Sequence, residues 1–318
     1  MTYCISDISA IELYRAHGRL LPRLLDGRGT AKLPPLALPH PAMLEEEMTR
    51  LGVLRAPYHV LTPYGGQTKG RGDIVIRQRR AALPRRGLVM VGRDVLSVSP
   101  ELMFSQLGAD SELDLVDLVE LGYELCGTYV MDRSWDGYTP TGSCTTNRSR
   151  LLRMADHEAG QRGIRTVRQA AGLVVDGSHS PMETVLAMLF TLPRRLGGLG
   201  VPGASMNHHV LTAVGDRWID VAFPSLRCGL EYKGRRPHGI ERTQRDDRRQ
   251  NEIAGSGMVT LNVWYEDLRD PRLFQQLVDS FAKVAGIRLR VRSDGFAAAQ
   301  DRLRMRLLPH LELGNEIR

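Results

Sequence analysis

The sequence predicts an α/β (α+β) chain in two parts: a smaller α+β domain over residues 1–130 and a second α/β domain over residues 178–318. Three observations carry this prediction. Short aliphatic and β-branched runs bounded by glycine or proline alternate with capped helical patterns along the chain. A polar, turn-rich stretch, Asp132-Arg-Ser-Trp-Asp-Gly-Tyr-Thr-Pro-Thr-Gly-Ser-Cys-Thr-Thr-Asn147, falls near the middle and marks residues 131–177 as a linker and helical connection. The length of 318 residues is enough for two domains with proper cores.

In the first part, helical patterns run over residues 5–25 and 41–53. Between them lies Lys32-Leu-Pro-Pro-Leu-Ala-Leu-Pro-His-Pro41, whose prolines stop helices. Strands are expected over 58–62, 73–77 and 87–97, then helices opening at Ser99-Pro-Glu101 and covering 112–123. Residues 148–174 return to helix. In the second part, Ser180 is a natural N-cap and Pro181 fits the first helical position of an apolar helix running to Leu192. A strand closing at Asp220 is followed by a second strand carrying Glu231 and Lys233, a helix over 242–254 and a strand over 258–264. The segment Ile287-Arg-Leu-Arg-Val-Arg292 reads as an edge strand whose alternating arginines keep it soluble, and a last helix covers 294–308.

The chemistry concentrates in Trp218-Ile-Asp-Val-Ala-Phe-Pro-Ser-Leu-Arg-Cys-Gly-Leu-Glu-Tyr-Lys233. Positions i and i+2 of a strand face the same side, so Glu231 and Lys233 point into one site. Cutting a phosphodiester requires a hard cation on the phosphate and a nucleophilic water, and carboxylate oxygens hold Mg2+. Asp220 and Glu231 supply such oxygens, and Lys233 a fixed positive charge for the water or the transition state. Glu183 lies in the first turn of its helix, where two readings stay open: it serves the helix dipole, or it is a further metal-site acid.

Basic residues cluster beside this trio. Arg235, Arg236 and His238 follow Gly234, and Arg242, Arg245 and Arg249 lie on the helix after it, a pattern suited to a phosphate backbone. Asp246, Arg249 and Ile253 are neighbours at helical spacing, which puts an ion pair next to an apolar anchor.

Taken together, Ser180-x-x-Glu183, Asp220, Glu231-Tyr-x-Gly234, a nearby His, Asp246-x-x-Arg249-x-x-x-Ile253-x-x-x-Gly257 and a closing strand resemble the DUF559-type proteins. These are relatives of the very-short-patch repair endonucleases in the PD-(D/E)xK, restriction endonuclease-like superfamily, and the resemblance covers roughly residues 178–270. It implies a mixed central sheet flanked by helices and a DNA endonuclease using Mg2+, with Mn2+ as a substitute. Glu183, Asp220 and Glu231 become the metal-site acids and Lys233 the motif lysine, and the resemblance implies that Asp246 and Arg249 brace the helix beside the site. Two positions depart from the DUF559 pattern. Lys233 stands where that type usually carries Asp, as in the wider superfamily, and His238 stands one residue later than the usual His, behind Pro237.

Residues 58–129 resemble, more distantly, the domain that follows the winged helix in type IV abortive-infection antitoxins. No winged helix is visible before it, since residues 5–53 lack a recognition helix with outward Arg, Lys, Asn or Gln. A structural domain that positions the nuclease is the other reading of this part. The rival function for the whole chain is a DNA-binding antitoxin-type regulator with an inactive nuclease-like domain.

A net charge of +7 and a pI near 9.5 fit an anionic partner, and nucleic acid is expected, DNA before RNA. A homodimer or a toxin–antitoxin-type partner stays open. No apolar stretch is long enough to span a bilayer and no signal peptide opens the chain, so no membrane partner is expected and the expected location is cytoplasmic. Cys4, Cys126, Cys144 and Cys228 are too dispersed for a zinc site, and Cys228 reads as strand core. The glycine-rich Leu196-Gly-Gly-Leu-Gly-Val-Pro-Gly203 has neither a P-loop lysine nor a dinucleotide turn. Of His208 and His209, adjacent on a strand, at most one faces the site.

Overall fold

A computed structural model of the chain describes residues 3–26, 28–29, 40–63, 73–132, 137–233, 248, 250–289 and 294–308. The protein is mixed α/β and divides into two units, Met1–Val174 and Val175–Arg318.

The first unit is built on a six-stranded sheet. Its order is β2 (Arg28–Gly29), β5 (Leu88–Met90), β6 (Val95–Val98), β1 (Tyr3–Ile5), β3 (Tyr58–Pro63), β4 (Ile74–Arg79). β1 is buried along its whole length, parallel to β6 and antiparallel to β3. The sequence expectation that residues 5–25 form one helix is corrected in two ways. Asp7, in the left-handed region at φ 51°, turns the chain from β1 into α1 (Asp7–His17), and its buried carboxylate accepts from Arg77 Nε at 2.8 Å. Gly18, at φ 45°, then ends α1 before a 3-10 turn and α2 (Leu21–Asp26). The strand expected over 87–97 is likewise two strands, β5 and β6, paired antiparallel.

α3 covers Pro41–Arg50. α4 (Pro100–Leu107) opens on Ser99, whose Oγ accepts the Leu102 N–H at 3.3 Å. α5 (Leu115–Cys126) opens on a capping box between Asp114 and Asp117. The segment 131–177, expected as a linker, is largely part of this unit. β7 (Tyr129–Asp132) pairs with β8 (Gly137–Pro140), and the expected helix over 148–174 is two helices, α6 (Arg148–His157) and α7 (Ile164–Leu173). α7 packs on α5, burying Val167, Ala170 and Ala171. The approach is close where Gly163 begins α7 at φ 78°: a Cβ there would lie 1.8 Å from the Gly108 carbonyl oxygen.

The second unit carries a mixed four-stranded sheet ordered β12 (Val259–Val263), β11 (Cys228–Tyr232), β10 (Gly215–Phe223), β9 (Ser205–Thr212). β9, β10 and β11 are antiparallel neighbours, and β11 is parallel to β12. A parallel pair needs a crossover, and the helical residues 250–255 (α9) lie on it. Ile253 of α9 is fully buried with Val210, Ile219, Ala222 and Met258.

α8 (Pro181–Thr191) is buried from Pro181 to Phe190 and packs on β10 and β11. Phe190 meets Phe223 of β10 at 6.4 Å and Phe281 of α11 (Pro271–Ala285) at 4.9 Å between ring centroids, with edge-on geometry to the latter. This cluster fixes the C-terminal end of α8 against the end of β10. α10 (Tyr265–Arg269) and α12 (Asp294–Leu307) complete the unit. Residues 287–289 form no strand, contrary to the edge strand expected over 287–292. The Ile287 N–H instead turns back to the Ala282 carbonyl at 3.0 Å, closing α11 over a left-handed Gly286. Residues 290–292 lie outside the described residues.

Candidate functional site

The candidate site is built on the β10–β11 pair and the N-terminus of α8. β10 does not close at Asp220 as the sequence suggests but continues to Phe223, pairing Val221 with Leu230 and Phe223 with Cys228. One register step from the Val221–Leu230 pair sets Asp220 opposite Glu231. Asp220 Oδ2 accepts the backbone N–H of Tyr232 at 2.8 Å.

Lys233 lies just past β11, yet its N–H donates to the Val263 carbonyl at 2.8 Å, so the ladder with β12 continues through it. Side-chain alternation is thereby kept, and Lys233 Nζ donates to Glu231 Oε2 at 2.9 Å. Glu231 is 5% exposed. A carboxylate that far from water needs a compensating charge, and the ammonium supplies it.

Glu183 is the third residue of α8, in its first turn, and both its oxygens are engaged. Oε1 accepts from Ser180 Oγ at 3.0 Å, and Oε2 accepts the His179 backbone N–H at 2.9 Å and Asn207 Nδ2 at 2.6 Å. The Ser180 Oγ accepts the Glu183 N–H in return, at 3.3 Å. Burial pushes the Glu183 carboxyl above its ordinary value of 4.5, against the lowering effect of these three donors. These contacts give Glu183 a structural use, capping α8 and tying it to β9.

Two residues that the sequence reading did not single out complete the arrangement. Asn207 sits in β9 at φ 43° and donates from Nδ2 to the Gly177 carbonyl at 2.9 Å as well as to Glu183. Asparagine tolerates that left-handed conformation better than most residues, and an Asn inside a strand was the available signal. His179, the residue before the N-cap, is near enough to Asp220 to feel its charge. Burial lowers the His179 pKa, and the Asp220 carboxylate opposes that shift.

His208 and His209 are held locally. His208 Nδ1 lies 3.2 Å from Ser205 Oγ, while His209 Nε2 meets Asp216 at 2.5 Å and its ring packs on Trp218 at 5.4 Å. Cys228 is fully buried in β11. The expected phosphate contacts Arg235, Arg236, His238, Arg242, Arg245 and Arg249, and the expected brace Asp246 with Arg249, lie outside the described residues.

Among the described residues no group of three His, Cys, Asp or Glu side chains is gathered as a metal-ligand set. The structure therefore brings Asp220, Glu231 and Lys233 to one place on the sheet and joins Glu183 to His179 and Asn207 beside it. No helix among the described residues is long and apolar enough to cross a membrane. Compared with protein-family models, curated proteins and solved structures, the chain finds no match.

Proposed function

We propose that the second unit is a metal-dependent endonuclease domain of the restriction-endonuclease-like kind, hydrolysing DNA phosphodiester bonds. The observation that carries this reading is the 2.9 Å pair of Glu231 on β11 and Lys233 just past it, with Asp220 opposite Glu231 on β10. A mixed sheet with helices packed on it agrees with the fold that the resemblance implies.

The donor set fits Mg2+ with two protein carboxylates. This ion keeps several waters and is commonly held by one or two carboxylates together with substrate phosphates, so a three-acid cage is not required. Asp220 and Glu231 would hold it, and Mn2+ would substitute. When bound, the ion supplies Lewis-acid polarisation of the phosphate and a water of lowered pKa. Lys233 provides a fixed cation where negative charge develops on the phosphoryl oxygens, and its link to Glu231 holds it there before substrate arrives. The Tyr232 N–H orients the Asp220 carboxylate. Glu183, with Ser180 and Asn207, fixes the start of α8 and the backbone of His179 next to Asp220. His179 supplies an imidazole beside Asp220 in this reading.

A second reading, an antitoxin-type DNA-binding regulator with an inactive nuclease-like domain, is favoured by one observation: the Glu183 oxygens are engaged by three protein donors rather than turned to the Asp220 and Glu231 pair. Supercoiled plasmid, linear duplex and single-stranded DNA incubated with Mg2+, Mn2+ or EDTA separate the two. Metal-dependent cutting that is lost in Glu231→Ala supports the nuclease. Salt-sensitive binding without cutting, equal in the native chain and the variant, supports the regulator.

A further inference from the structure

The first unit holds a cavity of about 310 Å³ whose wall carries five arginines, Arg28, Arg85, Arg86, Arg150 and Arg153, against a single carboxylate, Glu101. We propose that this cavity binds a small phosphate-bearing ligand of nucleotide size, independently of the site on the second unit.

The cavity is assembled from four separate segments. α6 contributes one face, Arg150, Arg153, Met154 and His157, at the i, i+3, i+4, i+7 spacing that lines up residues along one side of a helix. The turn before β5, closed by the Gly87 N–H on the Pro84 carbonyl at 2.9 Å, presents Arg85 and Arg86 side by side. Arg86 adopts φ 61°, a left-handed conformation that costs an arginine energy and that surrounding structure must enforce. Such strain gathers at ligand sites.

The single acid is already spent. Glu101 Oε1 accepts from Arg28 Nη1 at 2.9 Å and from Thr146 Oγ1 at 2.6 Å, and the Arg28 and Glu101 side chains are each only 7% exposed. Arg28 Nη2 also donates to the Thr145 carbonyl. Its Nε is buried with no hydrogen-bond partner, although a guanidinium offers five donors. No carboxylate among the described residues pairs with Arg85, Arg86, Arg150 or Arg153. His157 is oriented from behind: its Nδ1 lies 2.9 Å from Glu158 Oε1, and Arg79 grips the same carboxylate at 2.7 and 2.8 Å.

Four exposed guanidinium groups gathered around one pocket whose only acid is already paired with Arg28 repel one another through solvent, and an anion that accepts several forked hydrogen bonds relieves that repulsion. Phosphate oxygens match the guanidinium fork. The volume lies at the lower end of small-molecule sites and suits pyrophosphate or a nucleoside diphosphate. A terminal phosphate of nucleic acid shares this chemistry, and the test separates the two sources.

The test is calorimetric titration of the full chain in EDTA, which prevents metal-bridged binding elsewhere. Inorganic pyrophosphate, ADP, and an oligonucleotide with either a 5′-phosphate or a 5′-hydroxyl are the probes. Pyrophosphate and ADP are expected to bind, with affinity falling roughly tenfold in Arg150→Ala and again in Arg150→Ala/Arg153→Ala. Arg194→Ala, an exposed arginine of the second unit, is expected to bind as the native chain does. Arg150 and Arg153 are solvent-exposed on α6, so their removal leaves the core intact, and an unchanged thermal midpoint without ligand verifies this. Absent binding of both small probes, equal binding by the double variant, or binding of the 5′-phosphorylated oligonucleotide alone would each overturn the proposal.

Discussion

Lys233 and Glu231 are joined across two strand positions, Nζ to Oε2 at 2.9 Å, at the end of β11 where the ladder to β12 is still intact. The pair gives a buried carboxylate a charged partner, and it fixes the ammonium at a defined place on the sheet. Breaking either side leaves the other charge poorly solvated.

A double-mutant cycle measures that link. Glu231→Gln and Lys233→Met, singly and together, are expected to show a coupling of about 1–3 kcal/mol in urea unfolding followed by Trp218 and Trp264 fluorescence. Additive effects would mean that the two side chains do not support each other. Under the proposed nuclease activity, Lys233→Met also slows cutting by roughly 10²–10³-fold, as loss of a preorganised charge at a transition state does.

Asp220 has a structural and a chemical use that two substitutions separate. Asp220→Asn keeps an acceptor for the Tyr232 N–H, so the fold is expected to persist while metal-dependent cutting disappears. Asp220→Ala leaves that N–H without its acceptor and is expected to cost a further 1–3 kcal/mol or so of stability. Equal stability of the two variants would show that the Tyr232 contact contributes nothing.

Glu183 gives the unit a pH dependence of definite sign. Its folded pKa lies above the ordinary 4.5, so the folded state holds this proton more tightly than the unfolded chain. The resulting stability is fully present below 4.5 and is lost as pH rises through the raised value. Native protein minus Glu183→Gln should therefore show a stability difference that declines from about pH 4.5 upward and then levels. A flat or rising difference in urea unfolding across that range contradicts it. Glu183→Ala strands the His179 N–H and takes one of the two acceptors of Asn207 Nδ2, and is expected to be the more damaging change at every pH.

In the first unit, Gly163→Ala places a methyl group 1.8 Å from the Gly108 carbonyl oxygen at a left-handed position. Helix α7 must retreat from the 108–109 turn, at an expected cost of about 3 kcal/mol or more in thermal or urea unfolding. Gly172→Ala, on the same helix with open space around it, serves as the control and is expected to be neutral or slightly stabilising.

What the sequence determined by itself lies where a signal acts over a few residues. Ser180 caps α8, Ser99 caps α4, and Glu231 and Lys233 share one side of a strand. Each depends on backbone geometry and on a side chain reaching its own neighbourhood, which a short window encodes. Tertiary structure decided the rest. Tyr3–Ile5 is too short for any periodicity, and only pairing with β6 on one side and β3 on the other makes it a strand. The hairpin of β7 with β8 and the contact of Gly163 with Gly108 drew residues 131–174 into the first unit rather than leaving them a linker. Asn207 and His179 became part of the candidate site through β9 and the start of α8, and the arginine cavity exists only because β2, the turn before β5, α4 and α6 converge. Such convergence depends on how buried faces pack over long sequence separations, and no local pattern of residues carries that information.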